Sequence, residues 1–298
     1  MVTRVSAKLE EGLALGHYSH NTADRKSNFE RVRMASIKVV QQTAVLLLLL
    51  ACLWLWYLYA RVATAPLLAP FYLLVWAAMT RGLLLRAKMR RHAWLYAYLQ
   101  EHSALFKALR GGLIMWALSI TLAALLSLIL LINLLRLHDT FVWQALLLLT
   151  CSLMPIQQVL ARRLSTHIKE YYRGDFAWRV AAWIGACVLM LVLCWHAFYQ
   201  DYPRLSSATL EQAVWYFVDQ ETARNAVVLV LLQLSAGLDG FSQWLAQQFI
   251  PAPADSIAVV AAWLIILLKE LAFVWSFLIV CRGVVTLNRP LSYRGESL

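Results

Sequence analysis

Charge is what this sequence has least of. Asp, Glu, Lys and Arg together make up 14% of its 298 residues, against about 25% in a typical soluble chain. Apolar residues reach 61% and the mean hydropathy is +0.63, where ordinary chains are about 45–50% apolar. A soluble domain of this length cannot hide that much apolar surface, so the composition points to an integral membrane protein. Cysteine is also sparse: Cys52, Cys151, Cys187, Cys194 and Cys281 all fall inside apolar runs. No CxxC or Cys/His spacing occurs, so neither a disulfide framework nor a zinc site is expected. GxxxxGK[ST], HExxH, GxSxG and DxD patterns are missing as well. No motif names a reaction, a cofactor or a resident metal.

What the chain does have is long apolar runs. Spans are expected at about 43–60, 70–85, 113–135, 141–160, 176–199 and 258–281, each close to the roughly 20 residues that a helix needs to cross a bilayer. The expected fold is therefore all-α, a polytopic bundle of about six transmembrane helices. Residues 1–42 form a polar, basic segment before it and residues 282–298 a short basic tail after it. Leu49-Leu50-Ala51-Cys52 loosely resembles a lipoprotein cleavage box, but the long polar stretch before it and the apolar run after it predict an uncleaved anchor helix. Leu95, Leu99, His102, Phe106 and Leu109 recur at helical spacing and predict an amphipathic helix continuing from the second span. Little small-xxx-small patterning is evident, so helix packing is expected to rest on Leu, Ala and Trp surfaces.

Basic residues decide the orientation. Of 27 Lys and Arg, 22 fall in the N-terminal segment, in 81–110, in 162–179 and in the tail. The positive-inside rule makes those parts cytoplasmic, with both termini inside. The net charge of +11 thus has a membrane cause, and no nucleic-acid partner is expected. Residues 200–255 form the one sizeable section on the far side. Leu210, Val214, Phe217 and Val218 make one apolar stripe, Asn225–Leu238 an apolar stretch, and Phe241, Trp244, Leu245, Gln248 and Phe249 a second stripe after Leu238-Asp239-Gly240. An outer or re-entrant helical hairpin over 205–250, between helices 5 and 6, follows, because a seventh span there would leave the tail arginines outside.

Three groups of polar residues are candidates for function. Lys269 and Glu270 lie at the centre of the last apolar run, where an ionised group costs about 2.5–3.5 kcal/mol unless it faces protein or water. The other spans offer mainly Ser127, Thr150, Cys151 and Cys187 at that depth, so no complementary charge is expected within one chain. Three readings are open: assembly glue against another subunit, an ion path, or a shifted span with Lys269 snorkelling to an interface. His138, Asp139, His196 and Asp201 form a weak outer cluster with carboxylate and imidazole chemistry but no metal-ligand spacing. Arg86, Lys88, Arg90, Arg91, Arg162 and Arg163 suit contact with anionic lipid head groups.

The functional expectation is a non-enzymatic subunit or scaffold of a multi-protein envelope assembly in a bacterial inner membrane, such as a secretion or conjugation machine. Membrane lipids and other membrane subunits, or copies of the chain itself, are the expected partners. An ion-coupled transporter or channel using Lys269 and Glu270, with Asn133 or Gln157 along the path, is the first alternative. A membrane-embedded enzyme acting on lipid-linked substrates through the outer His/Asp cluster is the second.

Overall fold

The computed structural model describes residues 36–98, 113–137, 139–168, 170–199, 203, 205, 207–249 and 256–287. Among these, 88% are helical and none is in a strand. The chain divides into two units, Met1–Ala44 and Val45–Leu298; of the first, residues 36–44 are described, and they begin a helix. The helices are α1 (Ser36–Tyr59), α2 (Ala65–Tyr98), α3 (Leu113–Arg136), α4 (Thr140–Arg163), α5 (Glu170–Tyr199), α6 (Leu210–Val218), α7 (Ala226–Phe249) and α8 (Ser256–Val285). The expected amphipathic stretch Leu95–Leu109 lies mostly outside the described residues, as do most of the N-terminal segment and the tail.

Among the described residues, six helices, α1 to α5 and α7, are long and apolar enough to cross a membrane. Their exteriors are apolar too. Leu48, Leu73, Leu118, Leu148, Leu191 and Leu234 all stand exposed, an arrangement that suits lipid rather than water. The chain is an integral membrane protein. The last run, 258–281, lies within the 30 residues of α8.

α8 is the centre of the bundle. It packs on α2, α3, α5 and α7. Leu264, Leu267, Leu268 and Leu271 are exposed, whereas Phe273, Val274 and the whole run from Ser276 to Val280 are buried. A helix buried on every side is surrounded by others, so the second half of α8 is the core element.

Its closest neighbour is α2. A Cβ on Gly283 would lie 1.8 Å from the Ala78 carbonyl oxygen, and one on Gly82 would lie 2.8 Å from that of Ile279. The two backbones touch because Ala78, Gly82 and Gly283 leave room for them. To the expected Leu, Ala and Trp surfaces this adds glycine: without a hydrophobic force between helices in lipid, close backbone approach supplies van der Waals contact. Tryptophans add direct ties. The Trp56 indole donates to the Leu131 carbonyl at 3.0 Å, and Trp76 donates to Ile120 at 3.1 Å, fixing α1 and α2 against α3.

One correction concerns α7. Leu238-Asp239-Gly240 does not separate the apolar stretch Asn225–Leu238 from the stripe that begins at Phe241; one helix runs through it from Ala226 to Phe249. Gly240 is there for close approach, since a Cβ would meet the Ala213 carbonyl oxygen at 2.8 Å and the Phe217 ring at 3.0 Å. The stripe Val214, Phe217 and Val218 on α6 faces α7, with Val214 and Val218 beside Gly237 and Phe217 beside Gly240.

Candidate functional site

Most polar groups within the spans are satisfied by their own helix. Ser127 donates to Ala124, Thr150 to Leu146, Ser276 to Ala272 and Asn133 to Ile129, the short-range back-bonding open to these side chains. Gln157 instead donates to the Gly174 carbonyl at 3.2 Å, joining α4 to α5. None of these contacts leads to Lys269.

Lys269 meets Asp239 of α7, and its Nζ also lies 3.4 Å from a Glu270 carboxylate oxygen. Asp239 in turn meets Arg136, the last residue of α3, whose Nε donates to Glu221 at 3.0 Å and whose Nη1 lies 3.3 Å from the Ser235 hydroxyl. Glu221 also receives Arg61, just past the end of α1, at 3.2 Å. Three cations and three carboxylates thus form one neutral network across five parts of the chain. The expectation that Lys269 finds no acid within the chain is corrected. By sequence Asp239 belongs to the far-side hairpin over 205–250, which does not match its carboxylate to the last span. Glu270 also comes nearer to Lys269 than the ~100° between adjacent helix positions suggests, because both side chains are long.

The network's level matters for what it can do. Arg61 and Arg136 terminate α1 and α3, so the ammonium of Lys269 ends among helix ends.

A second network closes the C-terminal end of α8. Arg282 and Asp175, only 7% and 8% exposed, form an ion pair, and Arg179 adds a second contact to Asp175 at 2.9 Å. Arg81 donates to the carbonyls of Thr286 and Leu287 at 2.8 and 2.7 Å, occupying acceptors that the end of a helix leaves open. Sequence reading counted Arg282 as a tail charge and Asp175 as a loop charge. Nothing in their spacing shows that they meet, since 107 residues separate them.

The outer His/Asp cluster is brought together in part. His196 Nε2 lies 2.6 Å from an Asp139 carboxylate oxygen, joining the end of α5 to the start of α4, with the Phe141 ring beside the imidazole. A carboxylate in this position orients the imidazole. His138 and Asp201 lie outside the described residues. Of the basic set, Arg86 lies over the Trp275 ring at 4.6 Å, a cation–π contact that ties α2 to α8. Arg162, Arg163 and Lys88 are exposed; the side chains of Arg90 and Arg91 are outside the described set.

The chain matches no protein-family model, no curated protein and no solved structure. The case for function rests on the geometry alone.

Proposed function

We propose that this chain is a non-enzymatic, integral inner-membrane subunit or scaffold of a multi-protein envelope assembly, a secretion or conjugation machine or one of similar kind. One observation carries the reading: the charges that enter the bundle tie one helix to another, in one network around Lys269 at the middle of α8 and another at its C-terminal end. The tightly packed second half of α8 lies between them. Such a bundle is a rigid platform on which other proteins can be assembled.

Both termini are cytoplasmic in this proposal. Arg81 meets the end of α8, Arg282 and Arg179 share Asp175 there, and Arg162 and Arg163 close α4; basic ends stay inside. The pair Arg282–Asp175 brings the last turns of α8 to the first turns of α5, so α5 finishes and α8 begins on the opposite side. That supports α6 and α7 as a returning hairpin, outer or re-entrant, rather than one further crossing. Anionic lipids contact Arg162 and Arg163, and further subunits or copies of the chain are the protein partners. With the chain in spheroplasts, membrane-impermeant maleimide should label a cysteine placed at Arg163 only after permeabilisation, and one placed at Trp215 before it.

Native purification in mild detergent with mass determination tests the assembly. A hetero-complex or a defined oligomer is the expected result, with no proton or ion flux in reconstituted vesicles. The alternative, an ion-coupled transporter, is supported by the carboxylates Asp239 and Glu270 on either side of Lys269. A monomer whose flux disappears in Glu270→Gln would establish it and exclude the scaffold.

A further inference from the structure

We propose that α6 and α7 form a lid that is latched by charge onto the end of the bundle where α1 and α3 finish. The lid is complete in itself. Thr209 and Gln212 form a reciprocal capping box at the start of α6, and the Asn225 side chain accepts from the Val227 amide at the start of α7. Gly237 and Gly240 let the two helices touch. The Trp244 indole donates to the Ala208 carbonyl at 3.0 Å, and Gln247 bonds both Pro203 and Leu205. α7 packs more extensively on α6 than on α3 or α8.

The attachment to the bundle has a different character. Glu221 takes Arg61 and Arg136, and Asp239 takes Arg136 and Lys269. Ser235 adds a bond to Arg136, and the Arg224 amide donates to the Arg61 carbonyl. The lid thus brings two negative charges to a bundle surface of three cations and one acid, Glu270. The two surfaces are equal and opposite in charge. Glu221 and Asp239 are 8% and 17% exposed, where ion pairs are screened little by salt and where losing one partner leaves the other charge buried and unpaired. An interface of this kind has two discrete arrangements, closed while both carboxylates are charged and open once they are neutralised or displaced by another anion. Opening uncovers Arg61, Arg136 and Lys269 together.

Paired spin labels on a cysteine-free form of the full chain test this by electron–electron distance measurement. One pair, at Leu67 and Val230, spans bundle and lid; the other, at Trp215 and Leu234, lies within the lid. All four are exposed. The unmodified latch should give one narrow distance for each pair. Glu221→Gln with Asp239→Asn should add a longer population for the first pair and leave the second unchanged. Should that variant not fold, Arg61→Gln with Arg136→Gln and Lys269→Gln removes every cation that the two carboxylates meet and should give the same result. A first-pair distance that stays narrow in the neutralised form overturns the lid. Broadening of both pairs also overturns it, because the hairpin would then be unravelling rather than moving as a body.

Discussion

Gly283→Ala should lower the stability of the bundle by about 3 kcal/mol or more, at the upper end of the usual cost of overpacking. The added methyl would stand 1.8 Å from the Ala78 carbonyl oxygen. That atom is backbone, so no rotamer change relieves the clash, and α2 must move away from α8. Separation would also strain the Arg81 bonds to Thr286 and Leu287 and the stacking of Arg86 on Trp275. Gly185→Ala is the matched control. Its methyl would meet the Leu149 side-chain tip at 2.7 Å, which a leucine can rotate away from, and the expected change is about 1 kcal/mol or less. Thermal unfolding in mild detergent, followed by tryptophan fluorescence, separates the two. Equal melting temperatures for both variants would show that α2 and α8 are not in backbone contact.

Asp175→Ala should be comparably damaging, at about 3–5 kcal/mol, because it strands the Arg282 guanidinium in a site that is 7% exposed. The loss belongs to the broken pair, not to a large net gain from the intact one. Asp175→Leu combined with Arg282→Met should therefore recover much of the stability. The comparison is made by the same unfolding measurement on the two single variants and the double. If the double variant were as unstable as the sum of the singles, the two residues would not be acting on each other.

What the sequence made readable follows from length and periodicity. Long apolar runs identify helices that can span, and α1 to α5 overlap the five expected runs, with α1, α2 and α5 beginning five to seven residues earlier and α2 continuing to Tyr98. The stripe Val214–Phe217–Val218 was legible because one face of a short helix repeats every three to four residues. The partners of Lys269 were not legible. Asp239 sits beside Gly240, and a glycine next to an aspartate reads as a turn unless a neighbouring helix needs the space. The Ala78-xxx-Gly82 spacing was present all along, but two small residues among many alanines carry little signal until Gly283 is seen against them. The same limit applies to Asp175 and Arg282: pairing between distant segments depends on tertiary register, which a single sequence does not encode in any local pattern.

The central position of α8 has a consequence for biosynthesis. It follows in chain order every helix on which it packs, and about 190 residues separate the end of α2 from the end of α8. At a translation rate of about 5–20 residues per second, α2 waits roughly ten to forty seconds for its closest neighbour. During that interval the Ala78–Gly82 groove is empty, Arg81 has no carbonyls to cap, and Asp175 faces no Arg282. The nascent helices can enter the bilayer one after another, yet their final arrangement is set only when the last of them arrives. Insertion and folding are therefore separate events for this protein, and a membrane chaperone that shields the waiting groove would act in the time between them.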